Sequence, residues 1–370
     1  MANSDPFSLS SMLNALPNLR LPAARETMKE EIPVFPPPPR GVRFSIPPPG
    51  FAPPKETNLP IAKQPLNHPC FCGFRSAFTP QEMRLQWMFH FMTNSEEDDV
   101  APFRDMNSMQ RMASLLTSDS DYFMAIARNK NGSKRLQKLL GKSDDADSFF
   151  ADAILHRFLH MTTDKHASHV AIKGMRVFDK DKKEAMYHRT LHFALDLARD
   201  LNGCVALNEI ITDLDHPYYR NQILDLVVDS ALSLSNDVYG NFVIQHVLKL
   251  NDLRCTRNIA VNLRGHCVDL SFKKYGSYIV ERILEVEESM VVVMSELLEC
   301  EGDRLMRLAR SGFGNFVVAK ALRVLQENTF RAFMFWRLVD KLMPFLHLLR
   351  RSRGSNIAAI LESYCKPASN

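Results

Sequence analysis

Asn241 and Gln245 stand four residues apart in the segment YGNFVIQHVL, at 239–248. In a helix that spacing places two amides one turn apart on one face, with Phe242 beside them. Each primary amide offers two donors and an acceptor, the equipment for reading a hydrogen-bonding edge. Val243, Ile244, Val247 and Leu248 point the other way, as a core stripe does. The pair either packs, caps the helix or reads a ligand.

The pattern recurs. KYGSYIVERIL at 274–284, GFGNFVVAKAL at 312–322 and NGSKRLQKLL at 131–140 have the same shape, and weaker copies lie at 165–175, 201–211 and 352–362. Aligned on Asn241, the starting residues are Ser133, Ser168, Cys204, Asn241, Ser277, Asn315 and Ser355, spaced by 35 to 40 residues. A period of this length signals a helical solenoid, in which each unit buries its faces against its neighbours. Before each start stands Gly132, Ala167, Gly203, Gly240, Gly276, Gly314 or Gly354, as a tight turn or the close approach of another backbone requires. Three places after it, every unit is apolar, as at Leu136, Leu207, Ile244 and Val280, and that column is assigned to the core.

The starting residue, the next one and the one four beyond it are expected to form an exposed patch on each repeat. The fifth position is polar in Gln137, Gln245 and Glu281, and Asn208 is also capable of bonding; Ile172 and Ala319 cannot bond a base edge. The second position carries Lys134, His169, Phe242, Tyr278 or Phe316, flat or cationic groups that can lie on a base. An edge-reading pair beside a stacking group suits single-stranded RNA, one splayed base per repeat. The simpler alternative is that Ser and Asn cap helices while Phe and Tyr pack; seven repeats in phase favour the reader. Lys138, Lys173, His246, Arg282 and Lys320 flank the patch and supply charge where phosphates can pass.

The elements that hold these groups begin near Met83. Of 21 prolines, 17 fall in the first 80 residues, including FPPPPR at 35–40 and IPPPGFAPPK at 46–55, so residues 1–80 are read as a disordered or polyproline-II arm. Beyond it helical periodicity dominates and strand alternation is scarce, giving an all-α body over 81–370. The chain has 370 residues, 45% hydrophobic and 24% charged, with a net charge of +4 that permits nucleic acid without demanding it. Seven cysteines without a C-x-x-C pair point to free thiols in a reducing compartment; Cys70 and Cys72 lack a second pair at zinc spacing. The N-terminus does not read as a secretory signal and no apolar run reaches membrane length, so the expectation is a cytoplasmic protein.

Catalysis is not expected. GKS at 141–143 lacks the upstream glycine of a phosphate-cradling loop, with Leu136 in its place, and neither H-E-x-x-H nor G-x-S-x-G occurs. His166 and His169 have no carboxylate or cysteine to complete a metal set, so no metal and no cofactor are expected.

YGNFVIQHVL, KYGSYIVERIL and GFGNFVVAKAL resemble consecutive repeats of the Pumilio (PUF) family, and the unit at Ser355 resembles the family's C-terminal cap. The resemblance spans roughly residues 105 to 370. It implies a right-handed superhelix of three-helix repeats, with the patch-bearing helices on the concave face. It further implies base-edge contacts from Ser133, Gln137, Ser168, Cys204, Asn208, Asn241, Gln245, Ser277, Glu281 and Asn315, and stacking by Lys134, His169, Phe242, Tyr278 and Phe316. The implied partner is single-stranded RNA in mRNA 3′ untranslated regions, bound by a monomer that acts with protein effectors on translation and mRNA stability. By the family's pairing rules the preferred element is 5′-UGUNNA-3′. The chain departs from the family in having six base-reading repeats plus a cap instead of eight, with residues 81–118, containing MQRMASLL, expected as a worn N-terminal cap. The alternative is an α-solenoid scaffold that binds proteins on the same face.

Overall fold

The computed structural model describes residues 79–94, 106–326 and 331–365. The proline-rich arm lies outside them. All regular elements among these residues are helices, as the periodicity predicts.

Seven repeats follow one another, each with an outer helix, a linking segment and an inner helix. The inner helices are Lys130–Leu139, Ala167–Val177, Gly203–Asp213, Gly240–Lys249, Lys274–Ile283, Gly314–Gln326 and Ser355–Cys365, and each packs against the next. The outer helices Met106–Leu116, Asp144–His156, Lys180–Ala198, Pro217–Asp229, Leu253–Asn262, Glu287–Glu299 and Ala332–Leu342 form a second row packed in the same order. Short linking helices such as Ala231–Ser235 and Cys267–Ser271 join the rows; in repeat three the outer helix runs on through this segment. This is an all-α solenoid, whose core continues from repeat to repeat.

The period follows from packing. The column three places after each start is buried in all seven repeats, from Leu136 to Ala358. The small residue before each start is explained by a close approach: a Cβ on Gly132 would stand 2.1 Å from the Ile126 carbonyl oxygen, and one on Gly276 would stand 2.4 Å from that of Leu270. These φ angles are ordinary, so space and not backbone conformation demands the glycine.

The N-terminal expectation needs correction. MQRMASLL belongs to the outer helix of repeat one, which packs on the outer helix of repeat two. The element that closes the stack is Pro80–Asn94, set against the inner helix of repeat one. Its start is built by Thr79, which receives the Glu82 amide on its hydroxyl at 3.3 Å and donates its own amide to the Glu82 carboxylate at 2.7 Å. Buried Arg135 crosses to its other end and donates to the carbonyls of Phe91 and Met92 at 2.6 and 2.8 Å.

Candidate nucleic-acid interface

The starting residues sit deeper than the sequence suggests. Ser133, Ser168, Cys204, Asn241, Ser277 and Asn315 are each at most 6% exposed, so they form the floor of a groove and not an exposed patch. Ser355, on the terminal repeat, is exposed. The second position is the accessible one: Phe242 is 44%, Tyr278 49% and Phe316 52% exposed, while Lys134 and His169 are also on the surface. An aromatic ring left this open at a repeated register is a platform without a protein partner on one side.

These starts do not serve as N-caps. That role belongs to a residue four places earlier. Asp237 accepts the amides of Tyr239 and Gly240 at 2.9 and 2.7 Å, and Asp164, Asp200 and Asn129 do the same in repeats two, three and one. In repeat six the Ser311 hydroxyl accepts from Gly314 at 2.8 Å. The sequence reading missed this column, although its acidic and amide residues are visible as a second periodic signal.

The fifth positions divide the repeats. In repeat four, Asn241 uses its amide NH2 on the carbonyls of Asp237 and Val238 at 2.9 and 2.8 Å, leaving its carbonyl oxygen to receive Gln245 at 3.0 Å. In repeat one, Gln137 donates to the Ser133 hydroxyl at 3.0 Å, and that hydroxyl donates to the His166 carbonyl of repeat two at 2.7 Å. The two amide readers are thus preset. In repeat five, the Ser277 hydroxyl turns to the Lys274 carbonyl at 3.0 Å, and Glu281 stands half-buried beside it. Burial pushes the Glu281 carboxyl up, Lys320 of the next repeat opposes this, and Glu285 reinforces it.

Repeats two, three and six lack a fifth-position reader. Ile172 and Ala319 are buried in the core at 2% and 1% exposure. Asn208 is half-buried and its carbonyl oxygen is buried with no hydrogen-bond partner among the described residues, so the expected Asn208 contact with a base edge is not supported by the geometry. Asn315 still binds the Ser311 and Gly312 carbonyls at 2.8 and 3.2 Å, as Asn241 does in its own repeat.

Two further features were not anticipated. Tyr275, two places before its start, lies 5.6 Å from Phe242, and the Lys274 ammonium stands 5.3 Å from its ring. The aromatic ledge therefore passes from repeat four to repeat five without a gap. The flanking cations are also weaker than expected there. Arg282 and Lys320 both pair with Glu285, Lys320 at 3.0 Å, and burial pushes the half-buried His246 imidazole down, which disfavours its charged form. Among the described residues no cluster suited to a metal ion occurs, and no helix is long and apolar enough to cross a membrane.

A family model described as "Pumilio-family RNA binding repeat" matches residues 230–256 and 266–298, which include the Asn241/Gln245 and Ser277/Glu281 pairs. "Pumilio homolog 18" of Arabidopsis thaliana is 57% identical over 98% of this chain and 99% of its own length. The chain belongs to the Pumilio family. That family is one of RNA-binding repeat proteins and not of enzymes. "Putative pumilio homolog 19" of the same plant is 56% identical over 98% of this chain and 99% of the relative. Among solved structures, the RNA-binding domain of yeast Puf5p bound to SMX2 RNA aligns with a TM-score of 0.62 at 18% identity, over 75% of this chain and 82% of that one. The Puf4 RNA-binding domain bound to the HO endonuclease RNA 3′ UTR sequence aligns with a TM-score of 0.60 at 21% identity, over 75% and 88%. At these identities the likeness establishes the Pumilio solenoid fold, which agrees with the fold read from the repeats.

Proposed function

We propose that this Pumilio protein binds UGU-containing elements in mRNA 3′ untranslated regions and thereby regulates translation and mRNA stability. The observation that carries the reading is the Asn241/Gln245 and Ser277/Glu281 succession, two different polar pairs on adjacent inner helices, flanked by the open rings of Phe242, Tyr278 and Phe316. In repeat four the helix-start amides are taken by Asp237, and in repeat five the Ser277 hydroxyl donates to a carbonyl, so capping does not account for the starting residues.

The strand runs antiparallel to the repeats, its 5′ end at repeat six. Asn315 meets the first uracil with one amide and no fifth-position partner, Ser277 and Glu281 take guanine, and Asn241 and Gln245 take the second uracil. Guanine alone presents two N–H donors on its Watson–Crick edge, and an ionised carboxylate accepts both. Cys204 and Ser168 contact the next two bases without discriminating among them, and Ser133 with Gln137 takes adenine, giving 5′-UGUNNA-3′. The protein works as a cytoplasmic monomer, with effector proteins docking elsewhere on it.

A protein-binding reading of the same face is favoured by one observation, the exposure of apolar Leu201, Val205 and Val238 on repeats three and four. Selection from a random RNA pool with the full-length chain separates the two. The RNA reading predicts enrichment of UGU with A at the sixth place, three positions after the last uracil. A pool without UGU enrichment overturns it in favour of the protein-binding face.

A further inference from the structure

The groove has a second surface, formed by the residue after each start and the residue three before it. These two lie four apart: the later one stands on the inner helix at the register of Phe242, Tyr278 and Phe316, and the earlier one stands at the helix start, as Lys130 does, or in the turn before it, as Lys165, Leu201 and Val238 do. On repeats one and two this face carries Lys130, Lys134, Lys165 and His169, all exposed. On repeats three and four it carries Leu201, Val205 and Val238, also exposed.

The cations of the two ends have different fates. Near the polar pairs of repeats four and five, Arg282 and Lys320 share one carboxylate, that of Glu285. Lys130, Lys134 and Lys165 have no ion pair among the described residues. Lys130 and Lys134 are like charges one turn apart, an arrangement that mildly destabilises a helix unless an anion lies across it. Of the two repeats that carry this charge, repeat one keeps its Ser133/Gln137 pair, and repeat two has no fifth-position reader because Ile172 is buried.

We propose that Lys130, Lys134 and Lys165 form a phosphate clamp that holds the 3′ half of the bound strand regardless of the bases at its fourth and fifth positions. This rests on the RNA-reading proposal for the strand's direction. In it, repeats four to six select the UGU, and repeats one and two supply salt-sensitive affinity from the backbone, beside the adenine contact of repeat one.

The test uses the full-length protein and three RNAs, UGUUUA, UGUCCA and UGU followed by two abasic nucleotides and A. Each is titrated over a range of salt against wild type and the Lys130→Gln/Lys165→Gln variant. Both substitutions are at exposed positions, and circular dichroism verifies folding. The clamp predicts wild-type affinities within a few-fold of one another for the three RNAs. It predicts that the variant loses affinity for all three alike. It also predicts a log–log salt slope shallower by roughly 1 to 1.5, at about 0.7 per phosphate contact on a single strand. Tenfold or greater preference among the three RNAs, or an unchanged slope in the variant, overturns it. A matched RNA with AAA in place of UGU reports separately on the selecting repeats: equal binding of that RNA removes the UGU reading, while the slope difference still decides the clamp.

Discussion

Repeats four and five and repeats two and three share one backbone plan, yet only the first two hold complete reading sets. All four bury the same core column, and in each a small residue before the start packs closely in the core. At the fifth position they part: Gln245 and Glu281 reach the groove, Ile172 is absorbed into the core, and Asn208 turns its oxygen inward. A solenoid repeat therefore keeps its fold when it loses its reader, because the core column and the groove column lie on different faces of one helix. Stability and recognition are separable here, and each substitution can be aimed at one of them.

The largest expected effects fall on the aromatic ledge. Phe242→Ala or Tyr278→Ala removes a stacking platform and should weaken binding of UGU-containing RNA by roughly 1–3 kcal/mol, measured by anisotropy titration. His169→Ala, on a repeat without a fifth-position reader, should cost well under half of that. An equal loss at His169 would erase the distinction between the two regions.

A substitution on the core side should do the reverse. Gly276→Ala forces a Cβ against the Leu270 carbonyl and should destabilise the fold by about 1–3 kcal/mol in denaturant titration, with RNA preference unchanged in the molecules that remain folded. A changed base preference without loss of stability would show that the glycine column serves the groove.

The pH dependence of guanine selection sharpens the comparison further. Burial raises the Glu281 pKa from its ordinary value, so on acidification the carboxylate protonates earlier than an exposed one and loses an acceptor. UGU preference over UUU should therefore erode at a higher pH than an exposed glutamate would give, while binding set by Asn241 and Gln245 stays flat. For folding the linkage runs the opposite way. A raised folded-state pKa means that the native protein binds the proton more tightly, so this residue's contribution falls as pH rises from the unfolded value through the folded one. Flat UGU/UUU discrimination through the acid range would remove Glu281 from the reading set.

The smallest effect belongs to repeat three. Asn208→Ala deletes a buried carbonyl that has no partner, so stability should change by less than about 1 kcal/mol and RNA affinity not at all. A clear loss of affinity would restore Asn208 as a reader.

Much of this was legible in the sequence. The repeat period, the all-α class, the buried column at Ile244 and Val280, and the open rings of Phe242, Tyr278 and Phe316 all follow from helical spacing. What escaped depends on neighbours brought together across repeats. The burial of Asn241 and Ser277 comes from packing around the helix start, which the residue types do not announce. The pairing of Lys320 with Glu285 joins residues from adjacent repeats, and the Phe242–Tyr275 contact does likewise. MQRMASLL was misplaced because its partner is the outer helix of repeat two, and a single helix's pattern does not say which row it joins. The capping column at Asn129, Asp164, Asp200 and Asp237 was readable and was missed, because attention to one periodic column hid another in phase with it.

The central claim is that the pair on each inner helix reads one base, and one exchange tests it. Ser277→Asn with Glu281→Gln recreates in repeat five the Asn241/Gln245 pair of repeat four. In a competition titration of wild type and double variant against UGU- and UUU-containing oligomers, preference should pass from UGU to UUU, a shift of roughly 1–3 kcal/mol at that base. An unchanged preference for UGU would mean that Glu281 faces no base and that the repeats do not read by these pairs.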